Sequence, residues 1–129
     1  MSGRLLDVFK DEASILAVSL RWSKVAVPRF NVVGATKAAL ESIIRGLAQS
    51  LGRAKKIRVN GISPGFVSTH SLSKIGNRLD ILAQAKAKSP LKTNVTKEAI
   101  ASLAVSILEN PSLTGLIYPI DAGVDIMAD

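Results

Sequence analysis

The chain has 129 residues, 47% hydrophobic and 21% charged, with a formal net charge of +7. That length suits one soluble domain and excludes two, and the apolar fraction excludes a disordered chain. There is no cysteine for a disulfide, a thiolate metal site or a nucleophile, a Ser-His-Asp site would need the single histidine His70, and no apolar run reaches the about 18 residues of a membrane span.

The opening Met1-Ser2-Gly3-Arg4-Leu5-Leu6-Asp7 carries an early acid and does not read as a secretory signal, so a cytoplasmic setting is expected. The basic residues are scattered. Their densest group is Arg53-Ala54-Lys55-Lys56-Ile57-Arg58, with Lys86 and Lys88 further on. Aromatic residues make up 4% and do not interleave with these bases. The charges therefore read as solvated helix ends and loops, with no nucleic-acid partner expected. No metal site is expected either.

The first element is the apolar run Ala13–Leu20, which reads as a strand buried on both faces of a parallel sheet. Asn31 to Leu51 reads as a long amphipathic helix, with Leu40, Ile43, Ile44, Leu47, Ala48 and Leu51 at helical spacing. Glu41 and Arg45 form an i,i+4 pair assigned to the opposite face, and Gly52 serves as a stop. Ile57–Ile62 reads as a second strand, ended by Ser63-Pro64-Gly65.

Ser71 to Lys88 reads as a broken helix, with Leu72, Ile75, Leu79 and Leu82 near one face and Gly76-Asn77 interrupting it. Thr96 can cap a further helix, with Glu98 in its first turn and Ile100, Leu103, Ala104, Ile107 and Leu108 as its apolar stripe. Asn110-Pro111 ends it, and Gly115–Ile120 reads as the third strand. Strand, helix, strand, helices, strand is the order of an α/β unit with a parallel sheet. Three strands make a thin sheet with an unsatisfied edge.

Lys37 is the most informative residue. Positions 37, 40, 44, 47 and 51 share a helix face whose other members are apolar. A lysine there reaches past the helix end to a ligand or catalytic group, or it snorkels to water.

Two runs place Lys37 in a family. Phe30-Asn31-Val32-Val33-Gly34-Ala35-Thr36-Lys37-Ala38-Ala39-Leu40-Glu41, followed by Ile57-Arg58-Val59-Asn60-Gly61-Ile62-Ser63-Pro64-Gly65, resembles the short-chain dehydrogenase/reductase family. Within it, Asn31–Lys37, Pro90–Thr96 and Tyr118–Gly123 most resemble enoyl-acyl-carrier-protein reductases. The likeness runs from about Leu5 to the end of the chain.

The resemblance implies an α/β fold: the C-terminal half of a Rossmann-type doubly wound parallel sheet, three strands with flanking helices. It implies that Lys37 hydrogen-bonds a nicotinamide ribose and that its charge favours ionisation of a nearby acid. It implies that Val67 meets the carboxamide through its backbone and that Thr69 approaches the cofactor phosphates, with Pro64-Gly65 opening that loop. Ser19 falls at a cofactor-lining strand end. The broken helix 71–88 takes the place of a mobile substrate-binding segment. Pro64-Gly65 as a plain turn, Ser19 as an ordinary strand-end serine and 71–88 as a surface helix remain the alternatives.

The sequence departs from the family in three places. The catalytic tyrosine, seven residues before the lysine in enoyl reductases and four before in most other members, is replaced by Phe30 and Val33. A further tyrosine ten residues earlier is replaced by Leu20, and the only tyrosine, Tyr118, reads as packing. The nine glycines form neither Gly-x-Gly-x-x-Gly nor Gly-x-x-x-Gly-x-Gly. Residues 1–129 therefore read as a partial Rossmann-like domain without the dinucleotide-fingerprint half. A truncated gene model, a decayed gene and one piece of a split enzyme all fit.

The expected function is that of an NADH- or NADPH-dependent reductase of trans-2-enoyl thioesters on an acyl carrier protein, inactive as this isolated chain. The alternatives are a non-catalytic remnant or module that forms a homo-oligomer through the helix Asn31–Leu51, and a different short-chain enzyme such as a 3-oxoacyl reductase.

Overall fold

The computed structural model describes residues 3–128. Met1 and Ser2, part of the segment read as unlike a secretory signal, lie outside them. Helix α1 (Gly3–Val8) precedes β1 (Ser14–Val18), a 3₁₀ turn at Arg21–Ser23 and the long helix α2 (Asn31–Lys55). Next come β2 (Arg58–Pro64), the short α3 (His70–Ser73), α4 (Arg78–Lys88) and α5 (Lys97–Glu109). Strand β3 (Ile117–Ile120) and a 3₁₀ turn at Val124–Ile126 complete it. The strands are parallel in the order β1-β2-β3. This is the expected α/β unit of three strands with flanking helices. Among the described residues no helix is long and apolar enough to cross a membrane.

Strand β2 is central, and Val59 to Ser63 are all buried. Alternate residues of a strand face opposite ways. Val59 joins Ile44, Ala48 and Leu51 of α2 and Ile57 in the main core. Gly61 looks the same way, and a Cβ on it would lie 2.8 Å from Ile117 Cδ1 and 3.0 Å from Ile44 Cδ1. Glycine there lets α2 sit close on the sheet. Asn60 bonds the loop that leads into β3: its Nδ2 donates to Leu113 O at 2.8 Å, and Leu116 N donates to its Oδ1 at 3.3 Å.

Several sequence expectations are corrected. Strand β1 is half-buried along its length, and Val18 is 58% exposed, because among the described residues β1 pairs with β2 alone and forms an edge. Gly52 does not stop α2. The helix continues to Lys55 and ends at left-handed Lys56 (φ 56°), whose N–H bonds Gly52 O at 2.9 Å. Ser63 and Pro64 belong to β2 rather than to the loop after it.

The break at Gly76-Asn77 is real, and Asn77 Oδ1 accepts from Leu79 N and Asp80 N to start α4. The expected apolar stripe there is not buried, however. Only Leu72 is buried, while Ile75 and Leu79 are exposed.

Part of the basic group has structural partners. Lys55 Nζ donates to Leu6 O (2.5 Å) and Phe9 O (3.0 Å). The Arg58 guanidinium donates to Ile107 O (2.9 Å) and Leu108 O (2.6 Å), capping the carboxyl end of α5.

Candidate functional site

The segments that follow the carboxyl ends of the three strands enclose a mostly apolar cleft of about 560 Å³. Carboxyl ends of strands are where open parallel sheets bind ligands. Val18 to Trp22 come from β1 and its turn, Ser63 to Val67 from β2 and its loop, and Asp121, Val124 and Asp125 from the segment after β3. Lys37 enters from α2, Thr69 and Leu72 from the α3 region, and Lys97 and Ile100 from α5. The structure thus gathers Ser19, Lys37, Pro64, Gly65, Val67 and Thr69 into one cleft. Phe30 does not line it. It lines a smaller recess of about 270 Å³, and Trp22 belongs to both.

Lys37 is half-buried, and its Nζ donates to Val18 O at 2.8 Å. Its stem therefore bridges α2 to the end of β1. An ammonium has three donor hydrogens, and this bond uses one.

Four residues on, Glu41 is 7% exposed. Its Oε1 accepts from Ser19 Oγ and from Ser23 Oγ, each at 2.6 Å. This corrects the reading of Glu41 as the partner of Arg45 on the outer face. At about 100° per residue Glu41 lies only about 40° from Lys37, so angular position was the available signal. Counting apolar residues alone obscured it. The buried face of α2 is Gly34, Glu41, Ile44, Ala48 and Leu51, with Lys37, Leu40 and Leu47 at its margin and Ile43 55% exposed.

Ser19 is 1% exposed. Its hydroxyl hydrogen goes to Glu41, and its N–H donates to Ile62 O at 2.8 Å. It fastens the end of β1 to both α2 and β2.

The turn after β1 rests on α2 as well. A Cβ at Gly34 would lie 2.5 Å from Trp22 O, so only glycine allows that approach. Trp22 stacks on Phe30 with centroids 4.4 Å apart and meets Phe66 edge-on at 6.3 Å. Leu20 lines the cleft. Neither Leu20 nor Phe30 has a hydroxyl.

Gly65 bonds β3 through its N–H to Ile120 O at 2.9 Å. A Cβ on it would come 3.1 Å from both Asp121 Cα and Asp121 Cβ. Thr69 Oγ1 accepts from Leu72 N at 3.3 Å and begins α3. Asp121 holds the last turn, its Oδ1 accepting from Gly123 N (2.9 Å) and its Oδ2 from Asp125 N (2.8 Å). Asp125 Oδ1 lies 2.7 Å from Arg21 Nε, an ion-pair contact that is not aligned as a hydrogen bond, and this buried oxygen has no hydrogen-bond partner among the described residues. Burial and the neighbouring Asp121 raise the Asp125 carboxyl above the usual aspartate range, against Arg21 and Lys24. Tyr118 does not line the cleft, and its hydroxyl is buried without a hydrogen-bond partner among the described residues.

Comparison with known proteins bears on the fold and the family. The family model described as enoyl-(acyl carrier protein) reductase matches residues 1–125. An enoyl-acyl-carrier-protein reductase (NADH) of Rickettsia felis is 39% identical over 119 residues, covering 91% of this chain and 45% of that protein. One from Nostoc sp. is 34% identical, covering 98% of this chain and 50% of that protein.

Among solved structures, the Aquifex aeolicus enoyl-acyl-carrier-protein reductase (NADH) superposes with a TM-score of 0.86 at 29% identity, covering 97% of this chain and 49% of that one. The Anaplasma phagocytophilum reductase in complex with NAD gives 0.83 at 33% identity, covering 95% and 45%. The chain spans about half the length of the curated relatives it matches. A match over nearly all of its residues, on the same three-stranded α/β unit, makes the chain a member of the enoyl-acyl-carrier-protein reductase family.

Proposed function

We propose that the chain carries the nicotinamide-and-acyl half of an NADH- or NADPH-dependent enoyl-acyl-carrier-protein reductase site, and that it is inactive by itself. The observation that carries this reading is Lys37, anchored on Val18 O at the wall of an apolar cleft built by the carboxyl ends of all three strands. The relatives support it: those from Rickettsia felis and Nostoc sp. are named for NADH, and a Bacillus cereus relative was solved with NADP+.

The residues present suit one end of such a cofactor. Lys37 has ammonium hydrogens left for ribose hydroxyls, and Val67 and Thr69 offer backbone and hydroxyl groups in the same cleft. Gly65 leaves no side chain between the ends of β2 and β3. The 129 residues include no glycine-rich phosphate turn, so the adenosine end has no counterpart in them. They correspond to a partial short-chain reductase domain. The bound nicotinamide would supply hydride to the β-carbon of a trans-2-enoyl thioester.

Leu20, Trp22 and Phe66 would exclude water around the acyl chain. The thioester oxygen gains negative charge as hydride arrives and needs a hydrogen-bond donor. Leu20, Phe30 and Val33 supply none. Loss of one such donor typically costs about 100- to 1000-fold in rate. The net charge of +7 suits an acidic carrier protein.

The test is NADH oxidation with a crotonyl thioester by the purified 129-residue chain. No turnover above the protein-free rate is expected. None is expected from Phe30→Tyr either, because that ring lies against Trp22 outside the cleft. Steady oxidation by the unmodified chain would overturn the inactivity.

A second reading has its own observation. Val32 (80% exposed) and Ile43 (55% exposed) lie on the face of α2 turned away from the sheet. An apolar strip on a long helix suits self-association, so we propose α2 as the contact of a homo-oligomer.

A further inference from the structure

We propose that the Arg21–Asp125 ion pair is an acid-released strap across the cleft, closed while Asp125 is ionised and open to bulkier apolar ligands once it is protonated. This concerns regulation of the cleft and rests on the reading of that cleft as an apolar binding site.

Placement comes first. Arg21 lies in the turn after β1 and Asp125 in the turn after β3. These strands are the two opposite edges of the sheet, with β2 between them. The 2.7 Å contact between Arg21 Nε and Asp125 Oδ1 therefore spans the carboxyl end of β2, where the cleft lies. Both side chains line the cleft, and both are mostly buried, at 30% and 25% exposed.

Both anchors are firm. Asp125 stands on a turn fixed twice by the Asp121 carboxylate. The Arg21 turn is held on both sides, by Ser19 and Ser23 on Glu41, and Trp22 within it rests on Gly34 and Phe30. The Arg21 side chain itself is thus the part with freedom to swing aside when the pair opens.

The charge balance leaves the pair poised. Arg21, Lys24 and Asp121 are the charged groups that act on Asp125. Burial and Asp121 favour the protonated carboxyl and outweigh the two cations, so its proton binds at a higher pH than an ordinary aspartate's. The ion pair is present above that raised pKa and is lost as pH falls through it. A raised carboxyl pKa means that the folded chain takes up this proton more readily than the unfolded chain. Protonation of Asp125 therefore stabilises the fold. Release needs no unfolding.

Trp22 is the only tryptophan and neighbours Arg21, so it reports on the strap. The experiment follows Trp22 emission of the full chain from about pH 8 to about pH 4, with binding of the neutral apolar probe N-phenyl-1-naphthylamine measured at both ends. The expected result is a one-proton transition above the ordinary aspartate range, with the probe binding several-fold more tightly on its acid side.

Asp125→Asn should abolish the transition. Arg21→Met should give acid-like emission at every pH, and circular dichroism should show both variants folded. If Asp125→Asn does not fold, Arg21→Met alone decides. Absence of a transition, or one that survives Asp125→Asn or Arg21→Met unchanged, overturns the strap. A transition lost in the variants with no probe bound at either pH supports the pair as a switch but overturns the apolar cleft on which the proposed function rests.

Discussion

At its amino end β2 lies in apolar packing: Ile57 and Val59 are 0% and 1% exposed against Ile44 and Leu51 of α2. At its carboxyl end the buried groups change character. Ser19, Glu41, Ser63 and Ser89 are all buried there, with short hydrogen bonds from Ser19 to Glu41 and from Ser89 Oγ to Ala122 O (2.7 Å). The apolar end resists water and holds the helices on the sheet. The polar end fixes loops in one arrangement, because a buried polar group is costly until its partner is in place. Directional bonds predominate at the cleft and non-directional packing below it, where Asn60 and Arg58 add bonds of their own to the loop before β3 and to the end of α5.

That contrast can be broken from either side. Ile44→Ala strikes the apolar end and should have the largest effect, about 2–5 kcal/mol of lost stability, read from urea denaturation. Glu41→Ala strikes the polar end. It leaves the Ser19 and Ser23 hydroxyls unpaired, for about 1–3 kcal/mol, and shifts Trp22 emission. Glu41→Gln should recover most of both, because one oxygen already accepts both bonds. If Glu41→Ala shifts stability but leaves Trp22 emission unchanged, the polar end does not place the loop.

Arg58→Met removes donors from Ile107 O and Leu108 O and should cost about 1 kcal/mol, visible in thermal denaturation. Ile43→Glu lies outside both ends. Stability should change by less than about 0.5 kcal/mol, while light scattering should report a smaller assembly if α2 is the subunit contact.

The three strands and the longer helices were readable because their signals are local, whereas α1 and the two 3₁₀ turns were not read. The α2 periodicity, the Thr96 cap and the Gly76-Asn77 break before α4 each depend on a few neighbouring residues, whereas the capping role of Asn77 emerged only in the structure. The cleft residues Lys37, Pro64, Gly65, Val67 and Thr69 were legible through the resemblance, and parallel-sheet topology gathers them. Glu41 was misread because an acid between apolar helix positions looks like a surface charge until Ser19 and Ser23 are brought to it. Phe30 was legible as a lost hydroxyl, but not as a ring lying against Trp22 outside the cleft.

By itself, then, the amino-acid order determined the α/β unit, the family and the absence of hydroxyls at the tyrosine positions, since these depend on residue identity and short-range spacing. Tertiary structure alone decided which charges are buried and which loops meet. Arg21 and Asp125 are far apart in the chain, and only the parallel order β1-β2-β3 sets their turns side by side over β2. Burial and partnership are properties of the packed whole, and no window of sequence contains them.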